Sequence, residues 1–367
     1  MDQIMGNIDL LIQYPIVNIK IILDGIMIGA LFALAAYGLA LVWGVMNVKN
    51  LAQGDFVIGG GYVSWWLHNT IGLHPLLGVP AAFIVMSLLA GALHGTAVHR
   101  AARGQKPLMI GLAVLSIIAL FYGVYQGDGS AIKGYAGLVL FILLIVNGGI
   151  YNLVISRVIE RDLFTSLLAT FGLAIMGAQI MNLMFGSDTQ NLVLDVSFLG
   201  LPNSFTFADG LIDLPAAKIV GVILAAIIAI GVILFMKRSR MGQAIRATAQ
   251  DARAARVMGI DTEKVYAFTF SLNAAICGAA GAIIVMVWLI QPFYGITYSI
   301  RAFVIVTAAG LGNLPGVIAA GLGIGVAEQY GAHIFGISYQ QAIAVLLLLG
   351  ILVFRLVQQK RNRQVLQ

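Results

Sequence analysis

Apolar residues fall along this chain in long unbroken runs, with no two-residue alternation and few polar faces. Read at helical length, they predict segments at roughly 17–46, 52–70, 76–98, 107–126, 132–155, 163–185, 216–236, 265–290, a short piece near 299–311, then 315–334 and 338–356. Such runs favour helices over a barrel, because each segment then satisfies its own backbone polar groups. The fold class is therefore all-α, a polytopic transmembrane helical bundle of about ten or eleven membrane segments. Some of these segments are short or broken by glycine. In NLAQGDFVIGGGYVSWW, Gln53 and Asp55 open an apolar run that contains Gly59, Gly60 and Gly61. In AAGLGNLPGVIAAGLGIGVAEQYG, Gly310, Gly312 and Pro315 interrupt what would otherwise be one helix. Paired interruptions of this kind point toward a transport pathway. They also fit close helix packing, since GIMIG, GALHG, GNLPG and GLGIG all have the small-xxx-small form.

Composition agrees with a membrane protein. The chain has 367 residues, 60% of them hydrophobic and 10% charged, with a mean hydropathy of +0.97. That is far below the charge content of about 25% in soluble domains. The formal charge of +6 does not imply a nucleic-acid partner, because the basic residues sit at the ends of apolar segments. Basic clusters at Arg100/Arg103/Lys106, at Arg157/Arg161, across 237–264 and from Arg355 to Arg363 mark cytoplasmic positions. The stretch 186–215 has four aspartates and no Lys or Arg, which places it outside. Counting crossings between these marks gives a consistent parity, with the N-terminus outside and the C-terminus cytoplasmic. MDQIMGNIDLL lacks a basic n-region, so the first apolar segment is expected to be retained. Cys277 is the lone cysteine, so no disulfide forms within the chain.

Catalytic patterns are absent. No GxxxxGK[ST], HExxH or GxSxG occurs, and the five histidines (His68, His74, His94, His99, His333) lack ligand spacing. The chain is therefore expected to bind no cofactor or metal and to be no enzyme. The ionisable residues within apolar segments, Asp24, Asp55, Lys133, Arg301 and Glu328, lie near predicted segment ends, where snorkelling suffices. No carboxylate is expected at mid-depth, which counts against an ion-coupled carrier.

One run breaks the pattern. Residues 238–260, RSRMGQAIRATAQDARAARVMGI, carry five arginines and one acid, which excludes the run from hydrocarbon. On a helix, Met241, Ile245, Thr248, Ala252 and Ala255 share one shallow face, while Gln243, Arg246, Gln250 and Arg253 share another. Gly242 and Gly259 suit its ends. The small-residue face predicts a helix pressed into a groove of another protein, with arginines at the rim. An ordinary basic loop obeying the orientation rule would look similar.

MGQAIRATAQDARAARVMGI closely resembles the cytoplasmic signature of permease subunits in branched-chain amino acid ABC importers. GALFALAAYGLALVWGVMNVKNLAQGDFVIGGGYV is similar to that family's first two spans, and AFVIVTAAGLGNLPGVIAAGLGIGVAE to its C-terminal glycine-rich segment. The resemblance implies one permease domain over 1–367, with 237–263 as a coupling-helix loop in which Ala254, Ala255 and Gly259 match the AAxxxG part of the general loop motif. Arg253 stands where that motif has glutamate. It also implies two cytoplasmic ABC ATPases that use the ATP, a second permease (homologous or self), an extracellular or periplasmic substrate-binding protein and membrane lipid. The cargo would be a branched-chain amino acid, or urea, an amide or an aromatic acid. Residues 107–155 depart from the family as an inserted pair of spans, expected at the bundle periphery. An autonomous carrier or channel is the alternative. The acidic stretch 186–215 could meet the binding protein or be a solvated loop.

Overall fold

A helix that is apolar all round has to be enclosed by other helices or by lipid. The computed structural model describes residues 2–46, 50–94, 163–197, 202–207, 212–310 and 312–365, and among these residues the chain forms twelve helices and one small hairpin. The order begins α1 (Asp2–Gln13), α2 (Pro15–Met46), α3 (Gln53–Ile71), α4 (Pro75–His94) and α5 (Leu163–Phe185). The hairpin β1 (Ser204–Phe207) and β2 (Ile212–Pro215) follows, antiparallel, with Phe205 opposite Leu214. Then come α6 (Ala216–Arg238), α7 (Arg240–Gln250), α8 (Ala252–Val257), α9 (Thr262–Val287), α10 (Gly295–Ala309), α11 (Leu314–Phe335) and α12 (Gln340–Val365). By length and composition α2, α6, α9 and the stretch Pro292–Ala309 are apolar enough to cross a membrane, with shorter apolar helices in α1, α4, α5 and α12. The architecture is that of an all-α polytopic membrane protein. The predicted inserted pair at 107–155, with Lys133, lies outside the described residues.

The core is built around α9 and α2. In α9 every residue from Asn273 to Met286 is buried, and in α2 every residue from Leu31 to Trp43. Glycines set the spacing. A Cβ on Gly60 of α3 would stand 2.2 Å from the carbonyl oxygen of Gly278 in α9, so the two backbones touch. GIMIG of α2 packs against GLGIG of α11 in the same way: a Cβ on Gly25 would lie 2.5 Å from Val326 Cα, and one on Gly325 2.4 Å from the Gly25 oxygen. This contact favours van der Waals packing between helices, the force available in lipid. The pairings also make α2 antiparallel to α11, because Gly321 meets Gly29 further along.

Two features were not foreseen. α1 caps the far end of α11, where Asn7 Nδ2 donates to the carbonyls of His333 (2.9 Å) and Ile334 (3.4 Å). The acidic stretch 186–215 is partly built into the bundle: Gln190 and Ile290 exchange backbone bonds of 2.9 and 2.8 Å, and Leu192, Leu194 and Val196 are buried in alternation.

Candidate functional site

The basic run folds as two helices, not one. Ser239 leaves α6 in an extended conformation, and its Oγ accepts from Gly242 N at 2.8 Å to start α7. Asp251 is again extended (φ −154°, ψ 107°), and its Oδ1 accepts from Arg253 N at 2.7 Å and Ala254 N at 3.0 Å. These two N–H donors hold the Asp251 carboxyl below its ordinary pKa, with Ala254 the larger contributor. Gly259 closes α8 with φ +84°, a conformation that favours glycine.

The face expected to dock outward turns inward. Ile245, Thr248 and Ala255 are 0%, 2% and 4% exposed, with Met241 and Ala252 half-buried. Ile245 joins the main core, and Gly242 is pressed so closely on α6 that a Cβ would stand 2.6 Å from Met236 Cα. The physical reason is that small and apolar residues suit the chain's own helices as well as a foreign groove. Gln243, Arg246, Gln250, Arg253 and Ala254 face outward instead. Beyond them Val257 and Met258 stand 86% and 81% exposed at the tip of the elbow. Arg256 is committed within the elbow, its Nε donating to Thr262 Oγ1 at 2.9 Å.

A second constellation lies within the bundle. Gln53 Nε2 donates to the Ala35 carbonyl at 2.6 Å, and Ala35 is about 16 Å back from the Met46 end of α2 at 1.5 Å per residue. So α3 starts inside the bundle, not at its rim. There it meets the start of α10: a Cβ on Gly54 would stand 1.7 Å from the Gly295 oxygen. Gly54 N donates to Ser299 Oγ at 2.8 Å, Ser299 Oγ donates to the Leu51 carbonyl at 2.5 Å, and Leu51 N donates to Thr170 Oγ1 of α5 at 3.2 Å. Three helices are thus tied at one junction. Asp55, in the first turn of α3, lies beside Gly295 and Gly177. Both its carboxylate oxygens are buried and make no hydrogen bond among the described residues, and the same holds for Gln53 Oε1 and Asn50 Nδ2.

Other expected breaks divide. α3 runs unbroken through Gly59, Gly60 and Gly61, so that triplet is a packing seam and not an interruption. Gly310 (φ +89°) and Gly312 (φ +78°) do break the chain between α10 and α11. There Asn313 caps α11 by accepting from Gly316 N at 3.1 Å, and Pro315 occupies its first turn.

Snorkelling does not describe Arg301 or Glu328. Their side chains are 8% and 1% exposed, with Arg301 Nε 3.4 Å from Glu328 Oε2 and the guanidinium 4.5 Å from the centre of the Phe32 ring. The contact is an ion pair whose geometry falls short of a hydrogen bond, since Nε and both carboxylate oxygens have no such partner. Both residues sit well inside their helices because α10 begins at Gly295 and the end of α11 is covered by α1 and α12. Asp24 pairs with Lys218 at 2.5 Å. Sequence reasoning missed Thr170, Gly295 and Ser299, while Asn50 stood in the NLAQGD stretch without a role of its own.

Apolar helices of membrane-spanning length packed in one bundle, with a capped polar elbow between two of them, define an all-α polytopic membrane protein. Over residues 21–355 the chain matches the family described as "Branched-chain amino acid transport system / permease component", and it belongs to that family as a permease subunit. It is 28% identical over 339 residues to the high-affinity branched-chain amino acid transport system permease protein BraD of Pseudomonas aeruginosa, covering 91% of this chain and 92% of that one. It is 25% identical over 339 residues to the corresponding permease protein LivH of Escherichia coli K12 (90% and 91% covered). A probable branched-chain amino acid transport permease protein LivH of Methanocaldococcus jannaschii is 26% identical over 342 residues (91% and 90%). No solved structure matches the chain.

Proposed function

We propose that this chain is the membrane subunit of a binding-protein-dependent ABC importer that moves a branched-chain amino acid, or a related small polar solute, across the inner membrane. Separate ATPase chains drive it through the elbow α7–α8, and a second permease completes the pathway. The basic elbow then faces the cytoplasm, with the N-terminus outside and the C-terminus inside. The observation that carries this reading is the exposed Val257–Met258 tip, flanked by Arg253 and Ala254 and held in place by the Asp251 cap. An apolar knob with a basic rim suits a groove lined by acids, and α7 is anchored to α6, α9 and α2, so displacement of the tip reaches the spans. ATP binding to the partner subunits would supply the free-energy difference between inward- and outward-facing states.

The test is ATP-dependent uptake in proteoliposomes holding this chain, its ATPases and any companion permease. Met258→Asp, on the exposed tip, is expected to abolish both uptake and ATPase co-purification while the permease stays folded. Uptake that persists with the ATPases left out would refute the reading in favour of an autonomous carrier.

A further inference from the structure

We propose that the junction of α3, α5 and α10 is a binding site for the ammonium group of the transported solute, with Asp55 as the recognising carboxylate; this rests on the importer reading above. The junction is built as a site. Asn50 and Gln53 are 2% and 1% exposed, yet the Asn50 amide donor and the Gln53 amide acceptor have no partner among the described residues. Asp55 adds two unpartnered buried oxygens within the same six-residue segment. Buried polar atoms are nearly always satisfied, so the open Asp55 carboxyl calls for a partner.

The chemistry of the open atoms selects the ligand. Asp55 lies in the first turn of α3 and against the first residue of α10, so two helix N-termini favour a negative charge there. A carboxyl so enclosed is ionised only when a counter-charge is beside it. Arg301 faces Glu328 and Lys218 pairs with Asp24, so neither of these cations serves Asp55. A primary ammonium brings three donors and no acceptor, matching the two open Asp55 oxygens. Glycine makes the approach possible. A Cβ on Gly295 would stand 2.0 Å from Asp55 Oδ1, whereas one on Gly177 of α5 would meet the Asp55 carboxyl at an ordinary 3.5 Å.

Uptake of labelled leucine is measured in proteoliposomes of the complete importer, beside the ATPase stimulation caused by leucine-loaded binding protein, which reports an intact complex. Asp55→Asn, a neutral isostere, is expected to lower uptake at least tenfold with stimulation retained, consistent with the loss of one charge-assisted buried contact. Asp55→Glu restores part of it. Gly177→Lys, which supplies a tethered ammonium beside the Asp55 carboxyl, is expected to block uptake in the same way, and it decides the matter if Asp55→Asn does not assemble. Wild-type uptake in either Asp55→Asn or Gly177→Lys would overturn the site alone. A wild-type importer that carries no ammonium-bearing solute would overturn the substrate reading and the site together.

Discussion

The Arg301–Glu328 pair gives a quantitative test of how α10 is held to α11. Both side chains are almost fully enclosed, at 8% and 1% exposure, so removing either one strands the other away from water. Breaking a buried pair in this way costs about 3–5 kcal/mol, mostly because an uncompensated charge remains. For Arg301→Met the loss of the Phe32 ring contact adds about 2 kcal/mol. The pair's own attraction offsets less of its desolvation than a well-formed bond would, because 3.4 Å without hydrogen-bond alignment is a loose geometry. The double variant Arg301→Met/Glu328→Leu, similar in volume and uncharged, should therefore fall within about 1–2 kcal/mol of wild type or exceed it. The assay is the thermal denaturation midpoint of the four proteins of this cycle in one detergent, with Glu328→Gln as the other single variant. Each single variant should melt lower by on the order of 5 °C or more, and the double variant should recover most of that loss. A Glu328→Gln protein melting with wild type, or a double variant as unstable as its worse parent, would refute the account.

Three further outcomes follow from particular contacts. Gly60→Ala would set a methyl 2.2 Å from the Gly278 oxygen, so it should abolish assembly, whereas Gly59→Ala, 3.5 Å from Met86 Cε, should purify like wild type; yield of monodisperse protein checks this. Asp251→Ala should speed amide exchange across 252–257, with Asp251→Ser restoring protection, as read by hydrogen-exchange mass spectrometry. Acid should release the same cap. Because Asp251 is held below its ordinary pKa, its contribution is complete above the unfolded value near 3.9 and is lost as pH falls through the lowered native value. Unchanged protection of 252–257 when the carboxyl is protonated, after correction for intrinsic exchange, would refute the cap.

Most spans were legible because apolar length is a property of a single segment. What failed was anything decided between segments. The period through Met241, Ile245, Thr248, Ala252 and Ala255 continues across Asp251, so spacing could not tell one helix from two joined by a cap. Nor could spacing say whether that face meets a partner or, as Ile245 does, the chain's own core. Gly59, Gly60 and Gly61 look alike in sequence, yet only the positions of Gly278, Gly281 and Met86 separate a tolerated methyl from a forbidden one. Arg301 and Glu328 were judged by distance from the edges of apolar windows, which is a poor guide where a helix starts inside the bundle. The helix α1 was invisible as a span because MDQIMGNIDLL is too short to cross and carries Asp2 and Asp9, and its partner lies at the other end of the chain.

That last contact bears on how the protein is made. Asn7 bonds to the carbonyl of a residue 326 positions later. At synthesis rates of about 5–20 residues per second, roughly 15–65 s separate the two on the ribosome. Throughout that interval α1 lacks the helix end that it will cover. A chain arrested before α11 leaves Asn7 without the two carbonyls that it bonds in the finished protein.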